Sequence, residues 1–203
     1  IREQSAVKAE IGRRVAEYFF TNQRRPAFVL ASSAAVHFGQ QLRRLPNATG
    51  TLFATNSIAF PLAVLNDRSP HEVWTWCGCN YDDQCGGWLP RVGDNQYFDA
   101  LRQAFSPNSF TLTTAILTPR KVAVENGIHF ARAESTKIAR TLIESAPEVI
   151  LMVTADRICR SLEESEQAGA FPAGGTWREL GKKVHIVVAG PRKDRSLFHT
   201  RVN

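Results

Sequence analysis

The sequence lacks any apolar run of the roughly 18 residues that a helix needs to cross a bilayer. It also lacks a signal-peptide pattern, because polar residues follow Ile1 at once. Together these absences predict a cytoplasmic protein. In that compartment the 4 cysteines are expected to stay reduced.

The short motifs that mark nucleotide binding and common hydrolytic sites are missing as well. No Walker loop, G-x-G-x-x-G turn, G-x-S-x-G elbow or H-E-x-x-H helix occurs. Cys77, Cys79 and Cys85 lie close together, but C-x-C is tighter than the pairs of structural zinc sites and no fourth ligand is evident. The sequence therefore predicts free thiols, no metal and no cofactor.

The charge balance favours an anionic partner without selecting its kind. Lys and Arg number 25 against 19 Asp and Glu, which gives a formal charge of +6. The basic residues are dispersed along the sequence. A nucleic-acid-binding protein would usually interleave them with aromatic residues on one element, and this sequence does not. Solvated helix ends and loops are the simpler interpretation of most of them.

What the sequence has is an alternation of helical periodicity with short apolar runs. Helices are predicted near residues 1–22, 35–45, 58–65, 97–105 and 133–146. Strands are predicted near residues 27–31, 51–54, 73–76, 110–117, 148–154 and 184–188. This order predicts one α/β domain over residues 1–203, with a mainly parallel, Rossmann-like sheet flanked by helices. A ligand pocket is expected where the strands end.

Polar turns follow several of these strands. Ser32 and Ser33 follow the first strand, and Thr55, Asn56 and Ser57 follow the second. Hydroxyls, an amide and the N–H groups of a helix start could bind a small anion there. The alternative for the second turn is that its side chains only cap the following helix.

The order and spacing of the turns resemble the C-terminal sensor domain of DeoR-type transcriptional regulators. That family shares its fold with ribose-phosphate isomerase, glucosamine-phosphate deaminase and CoA transferases. Three turns of the family have counterparts here: the D-S-G-T-T-like phosphate turn at residues 31–35, the T-N-S turn at 55–57 and the G-G-aromatic turn at 78–81. The family's helix start that runs from Glu to Lys corresponds to residues 134–137, and its strand ending in Asp corresponds to residues 149–156. The similarity runs from the first helix to the last strand.

The resemblance implies a domain that senses a small anionic, sugar-phosphate-like metabolite without catalysis. Its implied ligand-binding residues are Ser32, Ser33, Thr55, Asn56, Ser57, Gly78, Lys137 and Asp156. DNA would be contacted through a separate domain that this chain lacks, and a homo-oligomer is left open.

The departures from the family pattern bear on affinity and activity. Ser33-Ala34-Ala35 replaces Gly-Thr-Thr, which removes two hydroxyls and should weaken phosphate binding. Thr113 and Thr114 stand where related isomerases place acidic residues. An isomerase, deaminase or CoA-transferase-like enzyme remains the alternative, with Glu125, Asp156 and the pair Asp82-Asp83 as its candidate groups. A degenerate binding or scaffold module is the third interpretation.

Overall fold

The computed structural model describes residues 2–21, 26–45, 50–83, 86–91, 93–106, 112–123, 127–130, 132–163, 170–171 and 183–190. In chain order its elements are α1 (Arg2–Thr21), β1 (Ala27–Val29), α2 (Ser33–Leu42), β2 (Leu52–Thr55), α3 (Ala59–Val64), β3 (Glu72–Thr75), β4 (Asn80–Asp82), β5 (Gly87–Leu89), α4 (Asn95–Gln103), β6 (Thr114–Leu117), β7 (Lys121–Ala123), β8 (Gly127–His129), α5 (Ala133–Ser145), β9 (Glu148–Thr154), a 3-10 turn (Ala155–Arg157), β10 (Ile158–Cys159), β11 (Ala170–Phe171) and β12 (Lys183–Ala189).

The main sheet of the described residues has six strands in the order β12-β9-β6-β1-β2-β3. Every pairing in it is parallel. The chain builds outward from β1 through β2 to β3, and it then adds β6, β9 and β12 on the other side of β1. The order therefore reverses between β1 and β6.

Helices cover both faces of this sheet because its central strands are apolar on both faces. Alternate residues point to opposite sides of a strand, so Ala27 and Val29 pack with α1, α2 and α3 while Phe28 packs with α4 and α5. Each of these residues is fully buried. Strands buried on both faces are typical of parallel sheets in α/β proteins. The prediction of an α/β fold with a mainly parallel, helix-flanked sheet is confirmed.

Two smaller sheets were not predicted. β4 and β5 form an antiparallel hairpin between β3 and α4, and β10, β7, β8 and β11 form a four-stranded sheet. The predicted strand at 110–117 is a strand from Thr114 to Leu117, and residues 110–111 lie outside the described residues.

Over the part of the chain that the structure describes, no helix combines the length and the apolar character needed to cross a membrane.

Candidate functional site

The carboxyl ends of β1, β6 and β9 surround a cavity of about 420 Å³. These three strands are neighbours in the sheet, and the strand order reverses between two of them, β1 and β6. Such a reversal leaves a crevice between diverging connections, which is where open α/β sheets bind ligands. The cavity therefore lies at the edge where the sequence predicted a pocket.

Ser32 and Ser33 line the cavity at the start of α2. Ser32 Oγ accepts a hydrogen bond from the N–H of Ala35 and donates one to Thr118 Oγ1, each over 3.0 Å. The first bond caps the helix, and the second ties the ends of β1 and β6 together. No acidic residue occupies the first turn of α2, so the positive end of the helix dipole faces the cavity uncompensated from within that turn.

Three basic side chains line the same cavity: Lys8 from α1, and Arg120 and Arg157 from the segments that follow β6 and β9. Arg157 donates a hydrogen bond from Nη1 to the carbonyl of Pro119 over 3.2 Å. This bond holds the turn that carries Arg120. No Asp, Glu or His is among the described residues that line the cavity.

These three cations were not among the predicted binding residues. Arg157 is the residue that directly follows Asp156 in the sequence. A signal for Arg120 was available, because it follows Pro119 at the end of a predicted strand. Lys8 gave no local signal, since its place over the cavity depends on how α1 packs across the sheet.

The hydrogen-bonding groups of Thr55, Asn56 and Ser57 are engaged within the chain. Thr55 Oγ1 donates to the Val29 carbonyl over 2.7 Å, and Ser57 Oγ accepts from the N–H of Phe60 over 3.1 Å. Asn56 Oδ1 accepts from the N–H of Ala31 over 2.8 Å, and its Nδ2 donates to the Trp88 carbonyl over 2.9 Å. All three are buried, and none lines the cavity. Their contact with a ligand stays a prediction.

The other predicted ligand residues also lie away from the cavity lining. Lys137 Nζ sits 4.2 Å from the centre of the Phe98 ring, in a cation–π contact with α4. Asp156 is exposed in the 3-10 turn. Gly78 packs so closely on the hairpin that a Cβ there would lie 2.3 Å from the Leu89 carbonyl oxygen. The structure thus brings Ser32 and Ser33 together in the cavity, but not the remaining six.

The candidate groups of an enzyme are likewise dispersed. Asp82 is buried and paired with Arg132, whose Nε lies 3.0 Å from its Oδ2, and Asp83 is exposed. Glu125 and Cys85 lie outside the described residues. Cys77 and Cys79 are exposed free thiols. Near them, burial raises the pKa of the Tyr97 phenol, with smaller contributions from Asp94 and Cys77.

A second group of titratable side chains lies at the opposite end of the sheet. Tyr18 Oη is 2.7 Å from His185 Nε2, which in turn is 3.1 Å from Glu148 Oε1. Thr114 Oγ1 donates to Glu148 Oε2 over 3.2 Å. The group joins α1 to the amino ends of β6, β9 and β12, far along the strands from the cavity.

No protein-family model matches the chain, and no curated protein matches its sequence. Among solved structures, a probable sor operon regulator from Shigella flexneri is similar with a TM-score of 0.47 and 8% identity, over 90% of this chain and 84% of that one. Ribose 5-phosphate isomerase from Plasmodium falciparum has a TM-score of 0.47 and 8% identity, over 76% of this chain and 53% of its own. The chain thus spans about half the length of that isomerase. D-arabinose dehydrogenase from Sulfolobus solfataricus has a TM-score of 0.39 and 15% identity, over 92% of this chain and 45% of its own. None of these similarities assigns the chain to a family.

Proposed function

We propose that the chain binds a small phosphorylated or carboxylated metabolite in the cavity over β1, β6 and β9, and that it senses this metabolite without converting it. The observation that supports the proposal is the charge of the described lining: three cations and a helix start, with no carboxylate among them.

The electrostatics of the lining favour an anion. Lys8, Arg120 and Arg157 line one cavity, so their like charges repel one another when no counter-charge is present. The N–H groups at the start of α2 add partial positive charge to this field. A phosphate or carboxylate would relieve the repulsion and accept hydrogen bonds from Ser32, Ser33 and the guanidinium groups.

The size and the remaining lining favour a single small metabolite. A volume of about 420 Å³ falls in the usual range for small-molecule sites. The remaining lining includes the hydroxyls of Thr118, Ser135 and Thr154 and a set of apolar side chains, contributed by Ile11, Leu30, Phe130 and Met152. The apolar side chains would contact the carbon skeleton of the ligand while the basic residues hold its anionic group.

The same lining argues for binding rather than turnover. Isomerisation or deamination of a sugar phosphate needs a group that takes and returns a proton, most often a carboxylate or an imidazole. The described lining offers hydroxyls and cations instead. Asp156, the acid nearest in sequence to the lining residue Arg157, is exposed and does not line the cavity.

The T-N-S turn is assigned a supporting role in this proposal. Asn56 holds the N–H of Ala31, and Ala31 is itself a lining residue. A displaced Ala31 would carry Ser32 and the start of α2 with it. The turn would then act on affinity through the position of these groups.

Calorimetry at constant ionic strength tests the proposal. Inorganic phosphate, ribose 5-phosphate, glucosamine 6-phosphate and a small dicarboxylate would be titrated into the wild-type chain and into Arg157→Gln and Arg120→Gln. Hydrogen bonds to charged groups contribute about 1.5–3 kcal/mol, so each substitution should weaken binding by roughly tenfold or more. Arg68→Gln is the matched control, because Arg68 is exposed in the loop after α3 and does not line the cavity.

Two results would contradict the proposal. The binding site is elsewhere if Arg68→Gln weakens binding as much as the cavity substitutions do. The proposed function is wrong if no compound in the panel binds. Steady turnover of either sugar phosphate, lost in Asp156→Asn, would replace sensing with catalysis.

A role in transcription regulation rests on a separate observation, the order of polar turns that resembles DeoR-type sensor domains. Its test is the reading frame upstream of residue 1. A helix-turn-helix there would support a regulator, whereas a start codon with no such segment would favour a free-standing binding module.

A further inference from the structure

The leading segment of α1, residues 5–10, lies against the cavity. Lys8 of this segment lines the cavity, and so does Ile11, the residue that follows the segment. Val7 of the same segment contacts the end of β12, where a Cβ added to Gly190 would lie 3.2 Å from its Cγ1. The segment thus borders the carboxyl edge of the sheet, on the side of β9 and β12.

The rest of α1 is held much more firmly than this segment. Ile11, Val15, Ala16 and Phe19 are almost fully buried, whereas residues 5 and 6 are exposed and residues 7–10 are only partly buried. At Gly12 the helix backbone passes directly over α2, because a Cβ there would stand 2.7 Å from the backbone of His37 and Phe38. The fully buried apolar contacts of α1 therefore begin at Ile11, just beyond the leading segment, and the segment itself adds only the partly buried Val7.

The charges of the leading segment are arranged unevenly as well. Glu10 bonds both Arg13 and Arg14 further along α1, and these bonds hold the pKa of its carboxyl at about 2. Lys8 has no hydrogen bond or ion pair with any residue that the structure describes. Its ammonium shares the cavity with Arg120 and Arg157, so the mutual repulsion of the three cations disfavours the docked position of this segment unless an anion lies between them.

We propose that an anion in the cavity fixes the leading segment of α1 by bridging Lys8 to α2 and Arg157, so that occupancy is converted into local order. This inference rests on the proposed function. Lys8 contributes to the binding free energy of the anion only when the leading segment is docked. Binding of the anion must then stabilise the docked segment by that same amount, because linkage is reciprocal. Local opening of a partly buried helix end costs little, so even a modest contribution would be measurable.

Amide hydrogen exchange of the whole chain, with inorganic phosphate as the probe and chloride at equal ionic strength as the reference, measures this order. Saturating phosphate should slow exchange of the leading segment by roughly tenfold, within the usual range of coupling between sites. Helix α4, on the other face of the sheet, should change little.

Two variants separate coupling from binding. Lys8→Met and Arg120→Met each remove one cation from the lining, and Lys and Met have similar helix propensities. Calorimetry fixes the phosphate concentration that saturates each variant. At saturation, phosphate should still slow exchange of the leading segment in Arg120→Met. In Lys8→Met, phosphate should leave the exchange of this segment as fast as in chloride.

The outcomes distinguish the two proposals. If phosphate binds but the leading segment exchanges as fast as in chloride, or if Lys8→Met is protected like the wild type, the inference is wrong and the binding site stands. Equal slowing of α4 would mean general stabilisation, and it would also overturn the inference. If calorimetry detects no binding, the proposed function falls and this inference falls with it.

Discussion

At the scale of single residues, Asn56 shows how a short polar turn can be fully used by the fold. Its amide joins the segment after β1, through Ala31, to the hairpin strand β5, through Trp88. Its backbone carbonyl also accepts a bond from the N–H of Trp88 over 2.7 Å. One buried side chain thus bonds two segments that also pack closely, since a Cβ added to Gly87 would lie 2.3 Å from the Cβ of Ala31.

Replacing Asn56 should therefore lower the stability of the fold. Asn56→Ala leaves the N–H of Ala31 and the carbonyl of Trp88 without their partner, and each buried unsatisfied group costs about 1–3 kcal/mol. We expect the free energy of unfolding to fall by about 2–4 kcal/mol in urea titrations. Asn80→Ala, at an exposed position on β4, is the control and should change it by less than about 0.5 kcal/mol. Equal effects at the two positions would contradict the assignment.

His71 is a buried titratable group in an apolar setting. It is 6% exposed and packs against the rings of Phe20 and Phe53. Within the described residues neither ring nitrogen has a hydrogen-bond partner. Burial lowers the pKa of the imidazole below its ordinary value of 6.5.

This lowered pKa makes folding sensitive to acid. Below pH 6.5 the unfolded chain takes up a proton at His71 that the folded chain refuses, so stability is complete above that pH and declines as the pH falls. For one proton the loss is at most about 1.4 kcal/mol per pH unit. Urea midpoints at pH 7.5 and 5.5 should differ less in His71→Leu than in the wild type. His37→Leu, which removes a histidine bonded to Gln40 on α2, should keep the full difference, and the assignment fails if the two variants behave alike.

At the scale of elements, the close crossing of α1 over α2 depends on a glycine, Gly12, at the point of contact. Alanine usually stabilises a helix interior by about 1 kcal/mol relative to glycine. At Gly12 the sign should reverse, because the added Cβ would meet backbone atoms of His37 and Phe38 at 2.7 Å, and backbone of a second helix cannot rotate away.

Gly12→Ala should thus destabilise the chain by about 1–3 kcal/mol, the usual cost of overpacking, as measured by thermal or urea unfolding. Ala6→Gly, at an exposed position of the same helix, should also destabilise the chain, by about 1 kcal/mol, because glycine loses more backbone entropy than alanine when the helix forms. A stabilising Gly12→Ala would show that the two helices can separate without cost.

The predictability of the elements followed their length and burial. The strand β9 is easily predicted, because its residues 149–153 are continuously apolar and buried. β7, β8, β10 and β11 have two or three residues each, too few for any period to appear. The hairpin of β4 and β5 is polar and Gly-rich, and part of what holds it is tertiary, including the bridge between Ser57 and Gly87.

The site was predictable only where it depends on the end of a strand. Ser32 and Ser33 come shortly after β1 in the sequence and line the cavity in the structure, and their contact with a ligand stays a prediction. The direction of the Lys137 side chain, by contrast, is set by Phe98 on another helix, and Lys8 reaches the cavity because α1 packs across the sheet. Contacts of this kind join residues that no local spacing relates.

At the scale of the whole molecule, the sheet separates two kinds of chemistry. The carboxyl edge carries the basic cavity, and the amino edge carries the group of Tyr18, His185, Glu148 and Thr114. The latter binds α1 to the sheet at the end that the leading segment does not reach. This group anchors the last turns of α1, whereas the proposed anion would act on the leading segment at the other end of the helix.

The strand order also has a consequence for how the protein is made. Phe28 of β1 pairs with Ala54 on one side and Ala115 on the other, so the central strand leaves the ribosome long before its second neighbour. At roughly 5–20 residues per second of synthesis, this edge of the nascent chain waits about 4–17 s for its partner. An unpaired strand edge invites association with other chains. A chaperone that shields the emerging chain would therefore be needed most in the interval before β6 appears.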